Sequence, residues 1–279
     1  MPTILDGKKV RDFLAENIKT ELLKLDSKPK LVILQVGNDE RSSVYVRQKK
    51  IFGEKLGFDV EYIQLDKKTE QADLILTINQ LNADKSVNGI IIQLPLIGKI
   101  EAVKVVESIT PEKDVDGLNS QNLRNLLENR TGGFMPATTK GIISLLDYYK
   151  FSIEGKKVVI VGRSSLVGRP TALALLNRNA TVTVCHTKTK KIQEETKRAD
   201  IIIVAAGSPK LIKKSFVKAG QIVIDVGITK VGDKLLGDVD FEPVSKVVKA
   251  ITPVPGGVGP MTVVSLFENL LTAYKNQKG

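Results

Sequence analysis

The residues available for chemistry are few, because the chain has one histidine, His186, one cysteine, Cys185, and no tryptophan. Neither a multi-histidine cage nor a cysteine-rich zinc site can be assembled from these, so no metal centre is expected, and acid–base work falls to Lys, Tyr, Asp or Glu. The first candidate lies in SSVYVRQKKIFGEKLGF, a helical pattern over 44–56 with Ser43 as its expected N-cap and Gly57 as its stop. At about 100° per residue, Tyr45, Lys49, Phe52 and Leu56 share one stripe while Arg47, Lys50 and Glu54 face away. A lysine on an apolar stripe either snorkels to its edge or, partly desolvated beside a phenol, becomes a proton carrier.

The next candidates stand at strand ends. GIIIQLPL reads as an aliphatic strand running into Gln93, and ligands of open α/β sheets gather at the carboxyl ends of strands. A side-chain amide there either orients a ligand or simply satisfies the strand end. PEKDVDGLN sets Asp114 and Asp116 in a turn, where a carboxylate can accept paired hydrogen bonds from an amino-pyrimidine edge or serve ordinary turn chemistry.

KVVIVGRSSLVGRP begins as a strand, turns at Gly162 and resumes as a helix around Gly168 and Pro170, an arrangement whose helix amides can hold phosphate. The dinucleotide pattern G-x-G-x-x-G is not met, since Ser164 and Val167 occupy its second and third glycine positions; a plain strand-turn-helix is the alternative. The following strand, TVTVC, has no acid for a ribose 2′-hydroxyl and ends in His186, Thr187 and Lys188; with Arg163 this set suits a 2′-phosphate. ITPVPGGVGPMT carries three prolines and three glycines between Pro253 and Pro260, which stiffens the backbone and strips it of Cβ where a flat ligand can approach.

These segments need a scaffold, and 279 residues suffice for two α/β lobes. Helical patterns over about 10–25, 44–56, 70–82 and 101–108 alternate with strand patterns at 31–37, 60–65 and 89–96. The second half repeats the theme with KVVIVG, TVTVC, DIIIVAAG and QIVIDVG, then a hairpin or loop in KVGDKLLGD and a last helix over 261–275. NRTGGFMPATTKG, at roughly 130–141, reads as the connection between lobes. The net charge of +11 comes from lysines scattered over helix faces rather than basic clusters interleaved with aromatics. That favours a solvated surface, or attraction of small polyanions, over nucleic-acid binding. The N-terminus lacks a signal-peptide core, no apolar run is long enough to span a bilayer, and a lone cysteine suits a reducing compartment, so a cytoplasmic protein is expected.

Taken in order, VYVRQKK, IIIQLPL, PEKDVDG, VGRSSLVGRP and ITPVPGGVGPMT resemble the characteristic segments of bifunctional methylenetetrahydrofolate dehydrogenase/cyclohydrolases over nearly the whole chain. One departure is Pro136-Ala137-Thr138-Thr139, where the family commonly reads Pro-Cys-Thr-Pro. The resemblance implies NADP-dependent oxidation of 5,10-methylenetetrahydrofolate followed by hydrolysis of the methenyl product to 10-formyltetrahydrofolate. It implies that Tyr45 and Lys49 are a catalytic Tyr-x-x-x-Lys pair, that Gln93 partners Lys49, and that Asp116 binds the pterin. Leu94 and Pro255, Gly256, Gly257, Val258 and Gly259 would line the folate site. NADP would rest on Gly162, Arg163 and Ser164, with Thr187 toward the adenosine phosphate and Ile228 toward the nicotinamide. The expected architecture is an N-terminal α/β catalytic lobe, 1–136 with 258–279 returning to it, and a Rossmann-like lobe over 137–257. Tetrahydrofolates, possibly polyglutamylated, and a homodimer complete the expectation. The alternatives are a dehydrogenase without useful cyclohydrolase activity and a basic nucleic-acid-binding protein on the same scaffold.

Overall fold

Aliphatic runs bounded by glycine, asparagine or proline have the composition of strands buried on both faces, and the chain uses them in that way. The computed structural model describes residues 1–278, with the side chains of residues 40–42 outside the described set. Contacts divide the chain into two compact units, Met1–Phe13 with Thr138–Thr262 and Leu14–Ala137 with Val263–Gly279. No described helix is long and apolar enough to cross a membrane.

The chain opens with β1 (Thr3–Ile4) and α1 (Gly7–Leu22), inside which the first unit boundary falls. It continues through β2 (Lys30–Val36), α2 (Glu40–Leu56), β3 (Asp59–Leu65), α3 (Gln71–Ala83), β4 (Gly89–Ile92), α4 (Ala102–Glu107) and α5 (Ser120–Leu127). These strands make a parallel sheet in the order β3-β2-β4, so the central strand is LVILQV, aliphatic and buried except for its one polar residue, the buried Gln35. Leu74 and Ile78 of α3 and Val105 of α4 close one face of it over Val32, Leu34, Ile90 and Ile92. Burial of such side chains contributes about 1.5–3 kcal/mol each before chain entropy is subtracted.

The second set is α6 (Ala137–Tyr148), β5 (Lys157–Val161), α7 (Gly168–Leu176), β6 (Thr181–Cys185), α8 (Ile192–Arg198), β7 (Ile201–Val204), β8 (Ile222–Asp225), β9 (Thr229–Val231), β10 (Lys234–Leu236), α9 (Phe241–Ser245), β11 (Ala250–Ile251) and α10 (Val258–Lys278). Five of these strands join β1 in a parallel sheet, β1-β11-β8-β7-β5-β6, while β9 and β10 pair as an antiparallel hairpin. The order reverses between β5 and β7: β6 lies to one side of β5, and β7 and β8 lie to the other. This is the doubly wound arrangement expected of a dinucleotide lobe.

Several sequence-based expectations shift. Residues 1–13 belong with the six-stranded sheet rather than the first lobe, because β1 pairs in parallel with β11, Thr3 opposite Ala250 and Ile4 opposite Ile251. A two-residue strand has no periodicity to read. The last helix starts at Val258, three residues early, with Pro260 in its first turn, where a missing N–H leaves no intrahelical bond unmade. It also changes units between Thr262 and Val263 rather than at residue 258. The second half of the expected connection at 130–141 is already helical as α6. Ser43 is not an N-cap, since α2 begins at Glu40; its amide and its Oγ both donate to the Asp39 carbonyl, at 2.9 and 3.0 Å, from within the first turn. Gly57 does end the helix, with φ +110° and its N–H on the Gly53 carbonyl at 3.1 Å.

Candidate functional site

In the three-stranded unit the candidate groups come from α2, the end of β4 and the loop after it. Gly53 fixes the rotation of α2, because a Cβ there would lie 2.4 Å from the Phe267 ring and 2.7 Å from Val60. The buried stripe is therefore Val46, Gly53 and Leu56, with Lys49 half-buried beside it. This rotates the stripe away from Tyr45, which is 40% exposed. The expected Tyr45–Lys49 contact is corrected accordingly: no described hydrogen bond joins Tyr45 to Lys49 or Gln93.

Lys49 is held from the sheet instead. Its Nζ donates to Gln93 Oε1 at 3.1 Å. The Gln93 amide is turned that way because its Nε2 donates to the Leu94 carbonyl at 2.8 Å, while its backbone N–H extends the β2–β4 ladder to Leu34 O at 2.8 Å. Although part of the Lys49 surface remains accessible, the protein packed around it lowers its pKa by desolvation, and the Asp116 carboxylate opposes that shift. Asp116 moves the other way: burial raises its pKa, opposed by the Lys49 charge. Desolvation thus pushes both groups toward neutrality, and their attraction resists it.

A second carboxylate, Asp114, shapes the turn that presents Asp116. It is buried and accepts from the N–H groups of Gly117 and Asn119 and from Asn122 Nδ2, at 3.1, 2.7 and 2.9 Å. Burial raises its pKa to about 6 against these bonds. Gly117 adopts φ +72° and abuts the Phe134 carbonyl, where a Cβ would come within 2.7 Å. The acidic pair in PEKDVDG therefore splits into one structural acid and one left facing Lys49. Asn119 and Asn122 carried no sequence signal for this.

In the six-stranded unit, Gly162 ends β5 at φ +134°, and a Cβ on it would lie 2.1 Å from the Ala205 carbonyl. Gly168 opens α7, and a Cβ there would lie 2.2 Å from the Gly162 carbonyl. The close-packing glycine thus falls one position later than the G-x-G-x-x-G pattern puts it. Ser164 Oγ accepts from the N–H groups of Val167 and Gly168, at 3.2 and 3.5 Å, while the exposed Arg163 side chain stands beside the turn. At the end of β6, His186 N–H donates to Thr189 Oγ1 at 2.9 Å and His186 Nδ1 accepts from Lys188 N–H at 3.1 Å, a tight turn that leaves Thr187 and Lys188 exposed. Ile228, past the end of β8, comes within 3.4 Å of a Cβ built on Gly259. Gly256, at φ +109°, accepts from Gly7 N–H at 2.9 Å, so the Pro255–Gly259 segment is fastened to the start of α1. A glycine cradle with no room for Cβ, backed by exposed basic and hydroxyl groups at the carboxyl ends of β5 and β6, fits a phosphorylated dinucleotide.

Residues 5–116 match the model of the tetrahydrofolate dehydrogenase/cyclohydrolase catalytic domain, and residues 136–278 that of the family's NAD(P)-binding domain. The chain belongs to the tetrahydrofolate dehydrogenase/cyclohydrolase family. A bifunctional protein FolD from a Hydrogenobaculum strain is 48% identical over 98% of this chain and 99% of its own. The crystal structure of the bifunctional methylenetetrahydrofolate dehydrogenase/cyclohydrolase FolD from Campylobacter jejuni superposes with a TM-score of 0.97 at 44% identity, covering 99% of each chain. The Trypanosoma brucei methylenetetrahydrofolate dehydrogenase-cyclohydrolase, solved with NADP cofactor and an inhibitor, superposes at 0.94 with 35% identity over 99% of this chain and 98% of its own. The chain is accordingly a bifunctional folate enzyme, with Lys49, Gln93 and Asp116 in the family's catalytic domain and the Gly162 turn in its NAD(P)-binding domain.

Proposed function

We propose that Lys49, oriented by Gln93 and electrostatically coupled to Asp116, carries the proton transfers that convert 5,10-methenyltetrahydrofolate to 10-formyltetrahydrofolate, after 5,10-methylenetetrahydrofolate has been oxidised in the same protein. The observation that supports this most directly is the 3.1 Å Lys49–Gln93 bond in a setting that lowers the lysine pKa. A neutral amine that gives one N–H to Gln93 keeps its lone pair for a proton from attacking water. Once water has added to the methenyl carbon, the same proton can be delivered to the folate nitrogen N5; its bond to carbon then breaks as the added hydroxyl loses its remaining proton to solvent and becomes the carbonyl of the formyl group left on N10. Asp116 takes the pterin, its carboxylate accepting from the amino-pyrimidine edge. Tyr45 acts at the accessible side of the same helix as a wall for the substrate, with Leu94 and the segment Pro255, Gly256, Gly257, Val258 and Gly259 as further folate contacts.

NADP⁺, when bound, accepts the hydride from the folate methylene carbon. The chain's part is to hold it: backbone at Gly162, Arg163 and Ser164 for the phosphates, Thr187 and its basic neighbours for the 2′-phosphate side, and Ile228 for the nicotinamide side. The oxidation itself needs no protein base, because the folate nitrogen lone pair drives hydride departure and leaves the methenyl cation. The working form is a homodimer in the cytoplasm that accepts polyglutamylated folates, the excess of lysine attracting their acidic tails. The test is to mix the protein with methylenetetrahydrofolate and NADP⁺ while following methenyl absorbance. Transient methenyl that decays faster than an enzyme-free control is expected; stable accumulation would remove the cyclohydrolase role of Lys49.

A further inference from the structure

The strand order fixes which loops serve which half of a bound dinucleotide. With its phosphates at the Gly162 turn and its 2′-phosphate end over the close of β6, the other half must extend over the loops that follow β7 and β8. Those loops run through Ala206–Gly207 and Gly227–Ile228. The first is fastened to one buried acid, Asp238, and the second to another, Asp225, which in turn holds the Asp238 N–H.

Asp238, fully buried, accepts from Ala206 N–H at 2.7 Å and Gly207 N–H at 2.8 Å, both at Oδ2. Asp225, 3% exposed, accepts from Gly227 N–H at 3.1 Å and Asp238 N–H at 3.0 Å at Oδ1, and from Val239 N–H at 2.9 Å at Oδ2. Its own N–H donates to Thr252 Oγ1 at 2.7 Å, immediately before the proline-glycine segment. The backbone closes tightly over both carboxylates: a Cβ on Gly227 would lie 2.2 Å from the Asp238 carboxyl carbon, and one on Gly237 would lie 2.0 Å from Asp225 Oδ2. Asp238 Oδ1, in contrast, is buried without a hydrogen-bond partner among the described residues. A fold in search of stability alone would not bury a charge with one oxygen idle, since neutral isosteres avoid that desolvation cost. Burial, with the Asp238 charge adding to it, raises the Asp225 pKa to about 7.

We propose that Asp238 is a positioning residue for hydride transfer: through Oδ2 it holds the loop after β7, and with its carboxylate packed against Gly227 of the loop after β8 it sets the arrangement that receives the nicotinamide half of the cofactor. The adenosine half and the hydrolytic step do not depend on it. This rests on the assignment of the six-stranded unit to the cofactor, and the experiment separates the two ideas.

The probes are 2′,5′-ADP, which carries only the adenosine half, and NADP⁺ with methylenetetrahydrofolate. Wild type should bind 2′,5′-ADP by calorimetry; if it does not, the cofactor assignment fails before Asp238 is tested. Asp238→Ala should keep that affinity, keep hydrolysis of supplied methenyltetrahydrofolate, and lose about tenfold or more in kcat/KM for NADP⁺, as two charge-assisted bonds disappear and the loops lose register. Asp238→Asn retains one carbonyl oxygen able to accept both N–H groups, so it should restore the rate to within about threefold of wild type. Undiminished kcat/KM for NADP⁺ in Asp238→Ala overturns the proposal. So does parallel loss of 2′,5′-ADP binding and both activities, which marks a purely structural acid. If Asp238→Ala does not yield folded protein, Asp238→Asn alone decides: a folded Asn variant that has lost hydride transfer as far as expected for Ala refutes the single-oxygen mechanism.

Discussion

Replacing Lys49 with Met should separate the two reactions, and its size can be bounded. The substitution keeps much of the aliphatic stem but removes the donor to Gln93 Oε1 and the positive charge that opposes the burial of Asp116. Loss of general acid–base assistance alone predicts a fall in methenyl hydrolysis of about 10²–10⁴, or roughly 2.7–5.5 kcal/mol of transition-state stabilisation. A second, smaller effect follows from Asp116: without Lys49 its pKa rises further, a larger fraction is protonated, and the folate KM should rise for both reactions. Hydride transfer loses only that second part. Stability should hardly change, because the desolvation of the lysine disappears along with its bond, and the half-buried Gln93 can turn to water. Stopped-flow absorbance during methylenetetrahydrofolate oxidation should therefore show methenyl accumulating in Lys49→Met and decaying in wild type. Lys49→Arg sharpens the test, since it keeps charge and donors but cannot deprotonate; if the neutral amine does the work, Arg is about as slow as Met. A folded Lys49→Met protein, verified by circular dichroism, that hydrolyses methenyltetrahydrofolate at the wild-type rate would refute the reasoning and leave Lys49 a snorkelling lysine.

Asp116→Ala should raise the folate KM and depress both activities together, because a lost pterin anchor misplaces the substrate for each; unchanged folate affinity by calorimetry would remove that role. NADP⁺ should be used more efficiently than NAD⁺, given the exposed Thr187 and Lys188 and the absence of an acid at the end of β6; equal or better kcat/KM with NAD⁺ would contradict it. Asp114 and Asp225, with pKa values raised to about 6 and about 7, hold protons in the folded state that the unfolded chain has released. Their contribution to stability is therefore fully present below about pH 4 and is lost as pH rises through 6 to 7, at most on the order of 3 kcal/mol for Asp114 and 4 kcal/mol for Asp225. Urea midpoints between pH 4.5 and 7.5 should fall less steeply in Asp225→Asn than in wild type, and identical slopes would show that Asp225 does not titrate there.

Local pattern carried the sequence reading wherever a single element decided the outcome. The aliphatic runs became parallel strands, Gly57 ended its helix, KVGDKLLGD became the β9–β10 hairpin, and Gln93 stands at the end of its strand. The reading failed where a remote residue decided. The inward face of α2 was placed through Tyr45 because a helical wheel weighs residue types, whereas the true rotation is set by Phe267, more than two hundred residues away, pressing on a glycine that counts for nothing on the wheel. The strand at Thr3–Ile4 exists only because β11 offers it an edge. Lys113 reads as one more surface lysine, yet it is buried, its Nζ donating to the carbonyls of Leu81, Asn82 and Asp84 and so capping the end of α3.

Asp116 shows why the motif and the site differ in kind. PEKDVDG supplies the carboxylate and the glycine whose φ turns the chain, but three distant groups set its position. Asn269 on α10 donates from Nδ2 to the carbonyls of Val115 and Met135, both at 3.0 Å, pinning the residue before Asp116 to the strand of chain that leads to α6. Ala137 N–H donates to the Asp116 carbonyl itself at 3.1 Å. Ile90 and Asp114 pair as a parallel bridge, so the loop rides on the edge of β4, the same strand that delivers Gln93. Lys49 and Asp116 therefore share a scaffold although 67 residues separate them, since β4 fixes one directly and the other through Gln93. A substitution at Asn269 that removes both donors should accordingly loosen Asp116 while leaving the Lys49–Gln93 bond intact, a coupling invisible in either motif alone.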